Sequence, residues 1–215
     1  MRGCFITFEG TEGCGKTTQV SRLAESLQAS GRQVTQTREP GGTPIGDQVR
    51  KILLDPANKA LHPRAELLLY AASRAQHLTE RILPAIDAGL IVLCDRFSDA
   101  TLAYQGYGRG LDIGVIRSLD QIVTGGLSPH LTVLLDIDAA KGLSRARGRN
   151  SSAGLAHEGR FEELDLAFHE RVRNGYLTLA RQDPERIRVV DASRSPDEVQ
   201  RDVRRIVDEA LTALT

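Results

Sequence analysis

Neither charge is in surplus: 28 Lys+Arg face 28 Asp+Glu across 215 residues. A nucleic-acid binder normally declares itself by a basic excess, so the balance argues against that class. Long apolar runs are missing too. None approaches the ~18 residues that span a bilayer, and the start, MRGCFITFEG, lacks the basic-then-apolar layout of a signal peptide. Both absences predict a cytoplasmic protein without membrane contact. Cysteine is scarce. Cys4, Cys14 and Cys94 are odd in number, far apart and without CxxC or Cys/His spacing, which excludes a disulfide scaffold and a zinc fold and predicts reduced thiols. There is no internal repeat, Pro/Ser linker or low-complexity tract, and the length fits one large domain over residues 1–215. Lysine is the last shortage: Lys16, Lys51, Lys59 and Lys141 are four of the 28 basic residues, leaving 24 arginines. Compositional bias of a whole proteome explains such a ratio. The sharper alternative is several guanidinium forks converging on phosphate, which only position decides.

What is present begins with five apolar, β-rich runs: CFITFEG, QVTQTREP, LIVLCDRF, LTVLLDID and IRVVDAS. Several are continuous Ile/Val/Leu rather than alternating, as burial on both faces of a parallel sheet requires. Helical segments lie between them: 15–30, with Val20, Leu23, Ala24 and Leu27 at helical spacing and Gly31 as stop; 63–88, between Pro63 and Gly89; and Asp197 to Leu214 after Ser195-Pro196. The fold class is α/β. Residues 144–162, SRARGRNSSAGLAHEGRFE, hold four arginines around small residues that make little core, which predicts a mobile surface segment.

The first strand runs into Gly10-Thr11-Glu12-Gly13-Cys14-Gly15-Lys16-Thr17, a full GxxxxGK[ST] match, with Thr18 and a helix following. Glycines let the backbone fold into a nest of inward N–H groups, and the helix N-terminus adds partial positive charge. Lys16 reaches β- and γ-phosphates as a point charge, and the Thr17 hydroxyl suits Mg2+. The motif predicts a bound nucleoside triphosphate; GTPases, motors and small-molecule kinases share it. Glu12 adds a hint. A carboxylate inside a phosphate loop needs a hydroxyl or cation as occupant, unless it is merely solvated.

Three further clusters fall where the connections of such a sheet meet the phosphate end. Arg38-Glu39-Pro40-Gly41-Gly42-Thr43 is a fixed turn that holds an arginine near a ligand, or an ordinary surface turn. Asp95-Arg96 ends a buried strand, where the Asp is placed for Mg2+ and the Arg for phosphate; a structural ion pair is the competing role. Tyr70 and Arg74 are i and i+4 on one helix face, able to stack on a base and bond its edge, although spacing alone favours a packed Tyr70 and a surface Arg74.

With FEGTEGCGKTTQ, REPGGTPIG, ELLLYAASRAQH, DRFSDATLAYQGYGRG and an arginine-rich lid in place, the chain resembles the bacterial thymidylate kinases of the P-loop nucleotide-kinase superfamily nearly end to end. The resemblance implies a three-layer P-loop kinase fold, transfer of the γ-phosphoryl of ATP to dTMP with Mg2+, and a homodimer packed through the long helices. It implies that Arg38 and Arg96 hold the dTMP phosphate, Tyr70 stacks on thymine, Arg74 bonds the base edge, and Thr101 faces the base. Tyr104 and Gln105 lie at the deoxyribose and base, Glu12 near the sugar 3′-hydroxyl and the metal region, and Asp95 and Thr17 at Mg2+. Some relatives carry a catalytic arginine where this chain has Gly13, so the charge on the transferred group needs a lid partner. Arg149 and Arg160 are the candidates, with Arg145 and Arg147 behind them. Here the lid departs from the usual RGxxDRxE layout: the stretch is longer and Gly159 replaces the Asp. A kinase for another nucleotide or deoxynucleoside, and a slow ATP-hydrolysing switch or DNA-clamp subunit, are the competing readings; the sequence has no guanine-reading NKxD motif, which speaks against the switch. His62, His77, His130, His157 and His169 show no spacing for metal or base chemistry and are expected on the surface or on helices.

Overall fold

A computed structural model describes residues 3–153 and 159–213, with the side chains of 149–153 outside the described set. Five parallel strands form one sheet: β1 (Cys4–Glu9), β2 (Val34–Arg38), β3 (Ile91–Asp95), β4 (Leu131–Asp136) and β5 (Ile187–Asp191), in the order β2-β3-β1-β4-β5. All five coincide with the apolar runs of the sequence. The continuous apolar runs β1, β3 and β4 take the three central places, while the more polar β2 and β5 take the half-exposed edges. Register aligns the strand ends. Phe8 and Arg38 both pair with Asp95, and Glu9 pairs with Leu134, so the carboxyl ends of β1, β2 and β3 open at one level beside the reversal of strand order.

Helices cover both faces. On one face α1 (Lys16–Ala29) and α9 (Pro196–Ala213) bury Val20, Leu23 and Leu27 with Val199, Val203 and Val207 against Ile6, Phe8 and Val133. On the other, α3 (Pro63–His77) leads through a wide π-type turn (Leu78–Ile82) into a short α4 (Leu83–Asp87), and Leu78 and Ile82 pack on Phe5 and Phe97. α2 (Pro44–Leu54) lies against α3. The expected single helix over 63–88 is therefore a continuous helical path with a widened middle. Pro84 has no N–H for the Glu80 carbonyl, and the wide turn absorbs that loss.

A second π-type stretch, Leu102–Gly108, follows the short α5 (Ser98–Thr101), and the Arg109 N–H reaches back five residues to the Tyr104 carbonyl at 2.8 Å. This stretch buries Tyr104 and Gln105, and it packs on α8 (Leu166–Gln182) more extensively than on any other helix. Between them run α6 (Ile113–Thr124) and α7 (Ala139–Ala153). The lid stretch expected as mobile surface is helical as far as Ala153, because Leu143 and Ala146 give α7 a buried side. Among the described residues, no helix is long and apolar enough to cross a membrane.

One buried ion pair ties the β4–β5 side to the site. Both Arg186 terminal nitrogens bond the Asp99 carboxylate, at 2.7 and 3.0 Å, and Nη1 also donates to Thr132 Oγ1 at 2.9 Å. Asp99 is buried in α5. Arg186→Ala leaves that carboxylate uncompensated and is expected to cost about 3–5 kcal/mol, read as a lowered urea midpoint.

Candidate active site

The P-loop closes on itself. Lys16 Nζ donates to the carbonyls of Gly10 and Thr11, each at 3.0 Å, and lies 3.5 Å from Cys14 Sγ. Thr17 Oγ1 donates to Asp95 Oδ2 at 3.0 Å, so the two residues expected to serve a metal ion meet although they stand 78 positions apart. Glu12, Gly13, Gly15, Lys16, Thr17 and Thr18 line the cleft; Gly10, Thr11 and Cys14 are buried. Gly13 has φ 69, and a Cβ there would stand 2.0 Å from the Gly142 carbonyl oxygen of α7. A Cβ on Gly142 would in turn stand 2.5 Å from the Glu12 carbonyl oxygen. This backbone-to-backbone contact leaves no room for a P-loop arginine.

Arg96 follows β3 with φ 71, the one non-glycine residue in the left-handed region among those described. Such a backbone persists only where its surroundings over-determine it. Here the Arg96 N–H bonds the Phe8 carbonyl at 2.9 Å, Nη1 donates to the Gly10 carbonyl at 3.0 Å and Tyr176 Oη at 3.1 Å, and Nη2 to Glu12 Oε1 at 3.2 Å. The guanidinium lies 4.8 Å from the Tyr104 ring centre. Burial works against its charge, and the oxygens of Tyr104, Tyr176, Glu12 and Asp95 outweigh burial and hold its pKa well up. Glu12 also accepts from Tyr104 Oη, and its Oε2 is 3.2 Å from His169 Nδ1. Burial would raise Glu12, but the His169 hydrogen bond and the charges of Arg96, His169 and Lys16 bring it down to about 2. Beneath it Glu9 accepts from the Phe97 N–H at 2.7 Å and Tyr176 Oη at 2.7 Å, and burial with the nearby Asp99 pushes it up to about 7.

At the far end, α3 carries Tyr70 and Arg74 into the cleft lining. Arg74 is a buried residue rather than the surface one that spacing favours. Nε donates to Glu39 at 2.8 Å, Nη1 to Asp120 at 3.1 Å, and Nη2 to the Phe97 carbonyl at 2.9 Å and Thr101 Oγ1 at 2.8 Å. Gln105 Nε2 donates to Glu66 Oε1 at 2.8 Å. Arg38, half exposed, stands at the mouth with Asp47 3.6 Å away. The Glu39–Pro40 peptide is cis.

The lid foot holds a surprise. Arg160 does not reach the cleft; it is 5% exposed, with Nη1 2.8 Å from Glu66 Oε2, Nε on the Leu53 carbonyl and its own N–H on the Leu54 carbonyl at 3.1 Å. Glu66 also takes Arg109, at 3.2 and 3.0 Å. Arg145 donates to the Ala192 carbonyl at 3.3 Å and Arg147 to the Glu162 carbonyl at 2.8 Å. The side chain of Arg149 and all of His157 lie outside the described residues.

Glu12, Lys16, Thr17, Arg38, Tyr70, Arg74, Asp95, Arg96, Thr101, Tyr104 and Gln105 thus line one continuous cleft of about 770 Å³. The thymidylate kinase profile matches residues 8–203. The chain belongs to the thymidylate kinase family. It is 60% identical over 195 residues to a thymidylate kinase of Syntrophotalea carbinolica, covering 91% of this chain and 90% of the relative. A second, from Trichlorobacter lovleyi, is 60% identical over 195 residues, with 91% and 92% covered. The crystal structure of thymidylate kinase from Ehrlichia chaffeensis superposes with TM-score 0.76 at 34% identity, covering 97% of this chain and 99% of that one.

The donor set at Thr17 and Asp95 suits Mg2+: a hydroxyl and a carboxylate, hard oxygens that already meet beside the phosphate loop.

Several functional neighbours escaped the sequence: Glu9, Glu39, Glu66, Arg109 and Tyr176, and two histidines expected on the surface or as plain helix residues. His77 is buried, with Nδ1 3.0 Å from Glu39 Oε1, and His169 is buried between Glu12 and the Phe161 carbonyl. His62 caps α3, and His130 accepts the Phe5 N–H at 3.0 Å. The one available signal was the spacing of His169, Val172, Tyr176 and Leu179, which puts the imidazole on the core stripe of α8.

Glu9 generates a pH prediction. Its unfolded carboxyl titrates near 4.5 and its folded one near 7. Between those values the folded state holds the extra proton, so this group's contribution falls as pH rises through that window. Relative to Glu9→Gln, the wild type is expected to lose up to about 3 kcal/mol between pH 4.5 and 7, seen as a wild-type urea midpoint that falls relative to that of the variant.

Proposed function

We propose that the protein phosphorylates dTMP to dTDP with ATP, the two nucleotides meeting end to end in the single cleft. The carrying observation is that continuity: P-loop, Thr17–Asp95 pair, Arg38 and Arg96, and the Tyr70–Arg74–Gln105 end line one cavity. Family membership supplies the substrate pair.

The triphosphate lies along the P-loop N–H groups, with Lys16 turning from the loop carbonyls to the β- and γ-phosphates. Thr17 and Asp95 are the residues that would hold Mg2+. When bound, the ion neutralises charge on the β- and γ-oxygens. Arg38 and Arg96 grip the dTMP phosphate, which places one of its oxygens in line with the γ-phosphorus. Arg96 is pre-positioned by four hydrogen bonds, backbone and side chain together, so little ordering is left to the moment of reaction. Tyr70 offers its ring to thymine. The Glu66 carboxylate only accepts, so the Gln105 NH2 faces it and the amide carbonyl is the group left for the imide N–H of the base. Tyr104 and Glu12 meet the sugar. Lid closure excludes water as competing acceptor.

With Gly13 closed to any side chain and Arg160 committed to Glu66, Arg149 is the lid arginine assigned to the transferred phosphoryl group. Arg149→Ala is expected to lower kcat about a hundredfold with little change in KM for dTMP or in Tm. Arg160→Ala is expected to lower Tm instead. The reverse pattern returns the catalytic role to Arg160.

ADP release measured with dTMP, dUMP, thymidine or no acceptor tests the reading as a whole. Turnover is expected to require dTMP, with kcat/KM for dUMP about tenfold lower, since one methyl in a pocket is worth about 1–3 kcal/mol. ATP turnover indifferent to any monophosphate overturns it. The homodimer that the resemblance implies has apolar surface available on the long helices: Leu68 on α3 and Ile122 on α6 are 58% and 80% exposed. Sedimentation of the purified protein checks it.

A further inference from the structure

His169 is 1% exposed, and both of its ring nitrogens face acceptors. Nδ1 is 3.2 Å from Glu12 Oε2, and Nε2 is 3.1 Å from the carbonyl oxygen of Phe161, in the turn by which the lid returns to α8. A carbonyl oxygen and an ionised carboxylate have no proton to give, so satisfying both contacts takes two ring N–H groups. The imidazole is wedged edge-on to the Phe168 ring, 5.5 Å between centres. The Glu12 it meets is also held by Arg96 and Tyr104 and feels the charge of Lys16. We propose that His169 is a positioning residue that donates from both ring nitrogens, fixing Glu12 at the sugar end of the cleft and tying the P-loop carboxylate to the foot of the lid.

The Phe161 side of the contact gives it its reach. Phe161 and Glu162 line the cleft, the Phe161 ring meets Tyr104 edge-on at 5.5 Å, and the neighbouring Arg160 is anchored to Glu66 and the end of α2. The lid foot is thus fixed at three consecutive residues: Arg160 to α2 and α3, Phe161 to α8, and Glu162 to α7 through Arg147. Of the three, only the Phe161 fastening passes directly to a charged group of the P-loop. Arg96 and Tyr104 hold Glu12 Oε1, whereas His169 holds Oε2. Loss of the imidazole frees that half of the carboxylate to turn while the other bonds persist.

The inference rests on the proposed reading of the cleft only for Glu12 meeting the sugar 3′-hydroxyl. Kinetics with dTMP and with 3′-deoxy-dTMP read that part. His169→Phe is expected to raise KM for dTMP about tenfold, with a smaller change in kcat, and to narrow the preference for dTMP over the 3′-deoxy analogue. His169→Gln, whose amide still offers two protons, is expected to recover most of both. Proton-detected nitrogen NMR of the imidazole in the wild-type protein at neutral pH is independent of catalysis: two ring N–H protons are expected for His169, and one in Glu12→Gln. A single ring N–H in the wild type, or a His169→Phe enzyme with unchanged KM and unchanged 3′-hydroxyl preference, overturns the proposal. A wild type that ignores dTMP altogether defeats the kinase reading and leaves the NMR result to decide His169 by itself; if His169→Phe does not fold, His169→Gln and the wild-type spectrum carry the test.

Discussion

The left-handed backbone of Arg96 is the constraint around which the site is arranged. A β-strand that continued past Asp95 would carry the guanidinium away along the sheet; φ 71 turns it back across the ends of β1 and β3. That backbone is held because Phe8 receives the Arg96 N–H and Glu9 receives the next one, from Phe97. The side chain then reaches Gly10, Glu12 and Tyr176 at once. Burying so many charges is favourable only when nearly all are satisfied. The consequence is rigidity: Glu9, Glu12, Tyr104, Tyr176 and His169 each have little freedom that is not shared with Arg96.

The Gly13–Gly142 contact is a second constraint, and it works by exclusion. Because α7 rests its backbone on the P-loop, no side chain fits at position 13, and on the reading proposed above the cation for the transferred phosphoryl group comes from elsewhere in the chain. The helix that closes off one location also carries the lid arginines, beginning at Arg145 and Arg147. The stretch from α7 to α8 therefore meets the P-loop at two places, through Gly142 near its start and through the Phe161–His169–Glu12 chain at its return.

Much of the fold was legible because burial on both faces leaves a simple mark. β1, β3 and β4 are mostly apolar runs, interrupted only by the buried Thr7 and Thr132 before their terminal carboxylates, and even the edge strand β2 is delimited by the turn residues after Arg38. The π-type turns were not legible: a helix that widens at Leu78 or Leu102 keeps its apolar residues close to helical spacing, so periodicity does not register it. The phosphate loop, Thr17 and Asp95 could be picked out, since each sits in a local motif, but that Thr17 and Asp95 bond each other is seen only in the fold. Residues that serve those motifs from a distance could not. Glu66 looks like any helical carboxylate until the fold brings Arg109 and Arg160 to it, and nothing near Gly142 in the chain announces Gly13.

The scarcity of lysine takes on a different meaning once the partners are known. A guanidinium presents its donors as a planar fork, so one residue can join several elements without losing its charge to burial. Arg74 joins the turn after β2, the loop after β3, α5 and α6 in this way, Arg186 joins β4 to α5, and Arg160 joins the lid foot to α2 and α3. An ammonium in any of these places would leave some acceptors unmet. On the proposed reading, phosphate recognition therefore accounts for only part of the arginine excess around the cleft. The other part is architectural: these guanidinium groups neutralise Glu39, Glu66 and Asp99, carboxylates that shape the site from behind. The buried charges of the pocket are thus shared rather than paired one to one: Glu66 serves both Arg109 and Arg160, and Arg74 serves both Glu39 and Asp120.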